Sequence, residues 1–184
     1  EVEEWLRRHN RYVKVTPLER VWQRLRGTAD DIRLGEVVGH AGMFLLYLAR
    51  DAAGWRGLSR LTDAELAERL PEALAAAVPE VPGGPPDGPA LDPDLIRALA
   101  ELAAERGPAA VFDEICDRYV EVHSRRVFAT PREVAEVMAA LGDTAGRTVL
   151  DPACGVGTML LAAAAARALG QEVNPSAARL SAVR

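Results

Sequence analysis

Cysteines, long apolar runs and secretory signals are scarce or absent in this 184-residue sequence. Its two cysteines, Cys116 and Cys154, are far apart and have no neighbouring ligand residues, which argues against a disulfide framework and a zinc site. The longest uncharged apolar stretch of the first half, residues 37–49, is too short to span a bilayer. We therefore expect a globular protein of the reducing cytoplasm, with no metal site and no membrane partner.

The first residues, Glu1-Val2-Glu3-Glu4, include neither an initiator methionine nor a secretory signal pattern. We interpret the chain as a trimmed or excised piece of a larger protein. With 49% hydrophobic and 27% charged residues, it can bury an ordinary core and form one or two small domains.

The net charge of −5 is spread unevenly along the chain. Residues 1–60 carry +3, residues 61–120 carry −9 and residues 121–184 carry +1. Phosphate affinity depends on local cation contacts, so an acidic total does not exclude DNA. The cations of the first segment form either a modest DNA-contacting patch or an ordinary solvated helix face: Arg7, Arg8, Arg11, Lys14, Arg20, Arg24 and Arg26.

Helical periodicity dominates the first 120 residues. Apolar residues recur at helical spacing around Val21, and residues 37–48 predict a mostly buried helix. A capping box at residues 62–65 predicts a helix start, and residues 92–102 and 112–122 predict two further helices.

A proline- and glycine-rich segment at residues 79–91 cannot continue a helix and predicts an exposed linker. It separates a helical domain at residues 1–78 from connecting helices at residues 92–128. An α/β segment at residues 129–184 completes the expected organisation.

The most informative run is residues 148–161, TVLDPACGVGTMLL. An apolar stretch, a glycine turn and a helix start predict a buried strand followed by the turn of a nucleotide-type cofactor site. Gly155 and Gly157 lack a Cβ, so the turn can adopt unusual dihedrals and a ligand can lie against bare backbone.

The chemistry of this turn favours S-adenosylmethionine over a dinucleotide. A pyrophosphate loop prefers a third glycine where this chain has Leu160, and it disfavours a carboxylate such as Asp151 at the strand end. S-adenosylmethionine has no phosphate and carries a sulfonium cation, which suits an acidic, glycine-bent loop. Methyl transfer is therefore the leading chemistry.

Two flanking segments support this interpretation. Thr130 predicts a helix N-cap, with Pro131 at the first helical position and Glu133 completing a capping box. Glu172 lies 15 residues after Gly157, close to the spacing of roughly 20 residues for an acid that binds ribose hydroxyls. Taken alone, these features also fit a well-started helix and a solvated surface glutamate.

The connection between Gly157 and Glu172 is short for a helix, a turn and a second strand. The alanine-rich stretch from Leu161 to Leu169 favours helix, which leaves few residues for a return loop. Either that helix is short, or residues are absent from the sequence here.

The segment from Asp151 to Gly157 resembles the first cofactor motif of DNA methyltransferases that modify amino groups, in particular N6-adenine enzymes. Residues 130–138 are similar to the Thr-Pro segment that precedes this motif, and residues 170–175 resemble the end of the second strand. The resemblance covers roughly the last third of the chain. It implies a mainly α helical domain followed by the start of an α/β Rossmann-like S-adenosylmethionine-dependent methyltransferase domain.

The same resemblance implies roles for individual residues. Thr130 would lie near the methionine end of the cofactor, Glu172 against the ribose, and Asn174 where the chain turns away from the strand end. Cys154 is interpreted as a small packing residue and not as a nucleophile. The implied cofactor-binding residues are Thr130, Pro131, Asp151, Pro152, Ala153, Cys154, Gly155, Gly157, Thr158, Glu172 and Asn174.

A second resemblance involves the helical front end. Val21-Trp22, Arg26-Gly27 and the apolar residues 43–48 are similar to the amino-terminal helical domain of the methylase subunit of type I restriction-modification systems. This implies double-stranded DNA as a partner, with specificity and restriction subunits, in a restriction-modification or related defence system. It assigns no role to an individual residue.

The sequence contains no Asn-Pro-Pro-Tyr-type motif, which in such enzymes holds the target amine and stacks on the extruded base. We therefore expect no catalytic residue and no methyl transfer in the isolated chain. In the parent protein, the adenine N6 of a flipped base would attack the sulfonium methyl directly.

Two alternatives remain open. A similar glycine loop serves methyltransferases that act on RNA, protein or a small molecule, although the Thr-Pro helix favours DNA amines. A non-catalytic helical assembly module would bind partner subunits and give no heat with S-adenosylmethionine.

Overall fold

The structure is a computed structural model that describes residues 15–30, 33–81, 91–123 and 129–184. Within these ranges, helices come first and a β-α-β-α unit follows. The elements are α1 (Pro17–Thr28), α2 (Leu34–Arg50), α3 (Ala52–Leu58), α4 (Asp63–Ala77), α5 (Pro93–Arg106), α6 (Pro108–Val122), α7 (Arg132–Leu141), β1 (Thr148–Asp151), α8 (Thr158–Ala162), β2 (Arg167–Gly170) and α9 (Pro175–Val183).

Side-chain caps begin two of the predicted helices. At α4, the Thr62 hydroxyl accepts from the amide of Glu65 at 3.4 Å, and the Glu65 carboxylate accepts from the amide of Thr62 at 3.0 Å. This confirms the capping box. At α5, the Asp92 carboxylate accepts from the amide of Leu95 at 2.8 Å. The helix predicted to reach residue 102 continues to Arg106.

Helix α2 lies at the centre of the helical part. Helices α1, α4, α5 and α6 pack around it, so the prediction of a mostly buried helix over residues 37–48 is confirmed. The largest fully buried side chains include Leu25, Leu34, Met43, Phe44, Tyr47, Leu66, Leu95, Leu99 and Ile115. Burial of these apolar side chains is the main source of stability for this part of the fold.

Glycines on α2 allow helix α9 to approach closely. A Cβ at Gly39 would lie 3.0 Å from the Arg179 side chain, and one at Gly42 would lie 2.9 Å from the Val183 side chain. At Gly35, a Cβ would lie 3.1 Å from the Cβ of Ser176. Because α9 follows β2 directly, this packing holds the β-α-β-α unit against the helical part.

The two strands pair in parallel, with Thr148 opposite Arg167 and Asp151 opposite Gly170. Parallel strands need a crossover, which α8 provides, and α7 packs on α8. Strand β1 and the helix start at Thr158 agree with the sequence prediction. A larger Rossmann-like sheet beyond these two strands stays a prediction.

The alanine-rich stretch from Leu161 to Leu169, whose composition favours helix, is helical only at its start. Helix α8 ends at Ala162, Ala164 has a φ of +45°, and the chain is extended again from Arg167. The short-helix alternative is correct, because pairing with β1 requires residues 167–170 as a strand and tertiary pairing overrides the helix propensity of alanine.

The prediction of a buried strand is wrong in part. Val149 is half-buried, but Leu150, on the opposite face, is 63% exposed. Side chains alternate between the faces of a strand, and in the described residues only one face of β1 is covered.

Some predictions concern residues outside the described ranges. These are residues 82–90 of the linker and the cations Arg7, Arg8, Arg11 and Lys14. The domain boundaries remain predictions. Among the residues that the structure does describe, none of the helices is long and apolar enough to cross a membrane.

Candidate functional site

The glycine loop, residues 152–157, connects β1 to α8. At its start, the Asp151 carboxylate accepts from the amide of Ala153 at 3.0 Å. At its end, the amide of Gly157 donates to the carbonyl of Cys154 at 2.8 Å, which closes a four-residue turn. Gly155 and Gly157 have φ values of +53° and +84°, in the left-handed region that side chains other than glycine disfavour.

Three hydrogen bonds attach this loop and the last residue of β1 to the residues that follow β2. The amide of Gln171 donates to the carbonyl of Asp151, and the amide of Cys154 donates to the carbonyl of Gln171, both at 2.9 Å. The amide of Gly155 then donates to the carboxylate Oε2 of Glu172 at 2.9 Å. The glycine loop and Glu172 therefore lie together at the carboxyl edge of the parallel sheet, where ligands bind in open α/β folds.

The carboxylate of Glu172 is held by both of its oxygens. Oε2 accepts from Gly155, and Oε1 accepts from the amide of Asn174 at 2.8 Å. An ionised carboxylate has about four acceptor sites, so the two bonds leave about two for a ligand. The half-buried Glu172 is thus oriented by the backbone and still able to accept from a pair of hydroxyls.

Asn174 begins helix α9, and its side-chain oxygen accepts from the amides of Ser176 at 3.0 Å and Ala177 at 3.2 Å. The predicted turn at Asn174-Pro175 is confirmed. The backbone amide of Asn174 orients Glu172 while the Asn174 side chain caps the helix, so this residue links the end of β2 to α9.

The two loop glycines face different surroundings. A Cβ at Gly155 would have no atom within 4 Å, whereas one at Gly157 would lie 2.7 Å from the Ser181 hydroxyl oxygen. Bare backbone is therefore open to a ligand at Gly155. At Gly157, the missing side chain makes room for α9.

A pocket of about 490 Å³ adjoins this edge between α8, β2 and α9. Its volume lies in the usual range for small-molecule sites. Among the predicted site residues, Cys154, Gly157 and Glu172 line it, and the other lining residues are Leu160, Leu161, Ala168, Leu169, Gly170, Ala178, Ser181, Ala182 and Arg184. Asp151, Gly155 and Asn174 do not line it, so the loop edge and the pocket share Cys154, Gly157 and Glu172.

The capping box predicted at Thr130 is wrong. Helix α7 begins at Arg132 with Pro131 in the N-cap position, and no side chain caps it. Pro131 has a ψ of 143°, which is extended, so Thr130 lies one residue too early to reach the helix amides. Thr130 and Pro131 do not line the 490 Å³ pocket, but the helix that follows them packs on α8, which begins at Thr158.

Sequence reasoning missed two residues at this site. Ser181 lies against Gly157, and the guanidinium of Arg184 donates to the carbonyl of Val156 at 3.4 Å. The signal was present in Asn174-Pro175, a typical helix start that places residues 177, 181 and 184 on one helix face.

Two of the described amino-terminal cations have protein partners. The guanidinium of Arg20 donates to the carbonyl of Val15 at 3.0 Å, and that of Arg24 pairs with Asp92 at 2.6 Å. The interpretation as a solvated helix face fits these two residues, and contact with DNA stays a prediction.

A parallel β-α-β unit with a glycine turn and an acidic residue after its second strand is the arrangement in which many open α/β folds bind nucleotide-type cofactors. Residues 110–183 match the model of a protein family described as N-6 DNA Methylase. This confirms the resemblance to N6-adenine DNA methyltransferases for that stretch. Comparisons with curated proteins and with solved structures found no match.

Proposed function

We propose that this chain is part of an S-adenosylmethionine-dependent DNA methyltransferase that modifies adenine N6. The glycine loop and Glu172 contribute the cofactor-binding edge. When bound, S-adenosylmethionine supplies the methyl group. The family match at residues 110–183 supports the reaction class, and the loop geometry supports this cofactor.

The oriented carboxylate of Glu172 carries the proposal. Its two remaining acceptor positions match the two hydroxyls of a ribose, and both of its oxygens are already fixed by backbone amides. Pre-orientation lowers the entropy cost of binding. A solvated surface glutamate would have no such amide partners.

The charge of the edge suits a cationic donor. Asp151 ends β1 and Glu172 lies two residues after the end of the parallel strand β2, and the open backbone at Gly155 lies between these two residues along the chain. Two carboxylates favour a sulfonium cation and disfavour a pyrophosphate. We therefore assign the cofactor to the loop edge at Gly155 and Glu172, with the apolar pocket next to it.

The remaining parts of the proposal concern the parent protein. Its partners are double-stranded DNA and, by the resemblance of the helical front end, specificity and restriction subunits of a cytoplasmic restriction-modification or related defence system. Base flipping would present adenine to the methyl group, and alignment of amine, methyl carbon and sulfur would supply most of the rate.

Calorimetry of the 184-residue chain with S-adenosylmethionine tests the proposal, with NAD as the comparison ligand. We expect heat of binding with S-adenosylmethionine and none with NAD. Absence of heat with S-adenosylmethionine would overturn the cofactor assignment and favour a helical assembly module. Heat with NAD alone would favour a dinucleotide enzyme.

A further inference from the structure

A buried arginine connects the glycine loop to the helical part. The Arg184 side chain is 2% exposed, and its Nε donates to the carboxylate of Asp113 on α6 at 3.0 Å. A second guanidinium nitrogen lies 3.6 Å from the carboxylate of Asp117, and a third donates to the carbonyl of Val156. One cation therefore joins α6 to the centre of the glycine loop.

Asp113 also holds the start of α7. Its other carboxylate oxygen lies 3.6 Å from the guanidinium of Arg132, the residue that follows Pro131. A cavity of about 250 Å³ lies beside these groups and is lined by Asp113, Arg132, Thr158 and Arg184 among others. Two of the three segments predicted to bind the cofactor, the start of α7 and the glycine loop, are thus linked to a single carboxylate.

The side chain of Val156 supplies a second, independent attachment. It is 3% exposed and belongs to the hydrophobic core formed mainly by the helical part, together with Leu180 and Val183 of α9. The centre of the glycine loop is therefore inserted into the helical core, and Arg184 holds the backbone at the same residue.

We infer that Asp113 is a positioning residue for the cofactor site. Through Arg184 it fixes the backbone of Val156, and through Arg132 it fixes the entry to α7, so the helical part sets the shape of the glycine loop. The effect of Asp113 on ligand affinity rests on the proposed function. Its effect on the order of the glycine loop is independent of that function.

Hydrogen exchange in the full chain tests this inference with two variants and a matched control. Asp113→Asn removes the charge of the positioning residue, and Arg184→Lys keeps a positive charge that cannot reach three partners at once. Glu114→Gln, the control, is the next residue on α6 and pairs with Arg106 instead. The reporters are the loop amides of Cys154, Gly155 and Gly157.

We expect exchange at these three amides to be about fivefold faster or more in Asp113→Asn and Arg184→Lys, with core amides of α2 exchanging as in Glu114→Gln. A purely structural role would accelerate loop and core amides alike and would overturn the inference. Loop exchange equal to that of the control would also overturn it. If one variant does not fold, the other decides the result.

Calorimetry with S-adenosylhomocysteine adds the functional measurement. We expect Asp113→Asn and Arg184→Lys to bind about fivefold more weakly or worse, with Glu114→Gln unchanged. Unchanged affinity in both variants would overturn the positioning role. If the unmodified chain binds nothing, the proposed function fails, and the exchange measurement still decides the role of Asp113.

Discussion

The amide of Gly155 donates a hydrogen bond to the carboxylate of Glu172 at 2.9 Å, across the carboxyl edge of the two-stranded sheet. The bond joins residues 17 positions apart in the sequence. It gives the loop after β1 and the acid after β2 a defined relative position. A ligand that contacts both then meets a preformed surface.

Replacement of Glu172 by glutamine should weaken binding of S-adenosylhomocysteine about tenfold or more, because hydrogen bonds to a charged group contribute about 1.5–3 kcal/mol. The amide has one acceptor oxygen where the carboxylate has two. Titration calorimetry measures the change, with Glu133→Gln on the exposed first turn of α7 as the control. Equal affinity of the two variants would remove Glu172 from the site.

The loop glycines should differ in their tolerance of alanine. The Cβ of Gly155→Ala meets open space, so this change should lower the free energy of unfolding by only about 1–2 kcal/mol, because the left-handed φ disfavours alanine. Gly157→Ala should cost more, because its Cβ also meets Ser181, and Ser181→Gly should restore part of that loss. Urea unfolding of the single and double variants measures these differences. Equal costs at the two glycines would contradict the packing of α9 on the loop.

Glycine-to-alanine changes in α1 and α2 should change the free energy of unfolding in opposite directions. Gly42→Ala brings a Cβ into the Phe112 ring and should lower the free energy of unfolding by about 1–3 kcal/mol. Gly27→Ala meets no atom within 4 Å and should raise it by about 0.5–1 kcal/mol. Urea unfolding distinguishes them, and stabilisation by Gly42→Ala would show that α6 does not press on this face of α2.

The thiol of Cys116 should make the protein less stable in alkali. Burial raises its pKa to about 12, despite the opposing effect of Arg184. Above the pKa of an exposed thiol, about 8.5, the unfolded chain loses this proton while the folded chain keeps it. The free energy of unfolding should therefore fall as the pH rises from about 8.5 towards 12, by about 3 kcal/mol at pH 10.5 from this group.

Urea unfolding at pH 8 and pH 10.5, with Cys116→Ala as the reference, isolates this contribution. Tyr47 also has a pKa raised by burial, and this effect is the same in both proteins and cancels. The pKa of Tyr119 is raised by burial and, to a smaller extent, by Cys116, so the comparison reports Cys116 together with its effect on Tyr119. An identical pH dependence in the two proteins would show that Cys116 is accessible to water.

Local signals predicted most of the helices and the core of the site. Capping residues, apolar periodicity and the pair of glycines act over a few residues, so α2, the start of α4 and the turn at Gly155 followed from the sequence. The acidic residue after β2 followed from its spacing to the loop.

Features that depend on tertiary partners could not be predicted in this way. The alanine-rich residues 163–169 favour helix by composition, but residues 167–169 form a strand because they pair with β1. The sequence predicts that Leu150 is buried because it does not show that only one face of β1 is covered in the described residues. The start of α7 depends on the backbone of Pro131, whose fixed φ suits both a helix and an extended segment. Likewise, Arg184 and Asp113 are 71 residues apart, and no local pattern joins them.

Amide chemical-shift mapping during titration with S-adenosylhomocysteine shows whether the ligand binds at the edge formed by the glycine loop and Glu172. We expect the largest shifts at the amides of Gly155 and Asn174, whose hydrogens are bonded to Glu172, and at the neighbouring loop residues. Largest shifts in the helical part, away from the glycine loop, would contradict binding at this edge, as would a titration that leaves the amides of Gly155 and Asn174 unchanged.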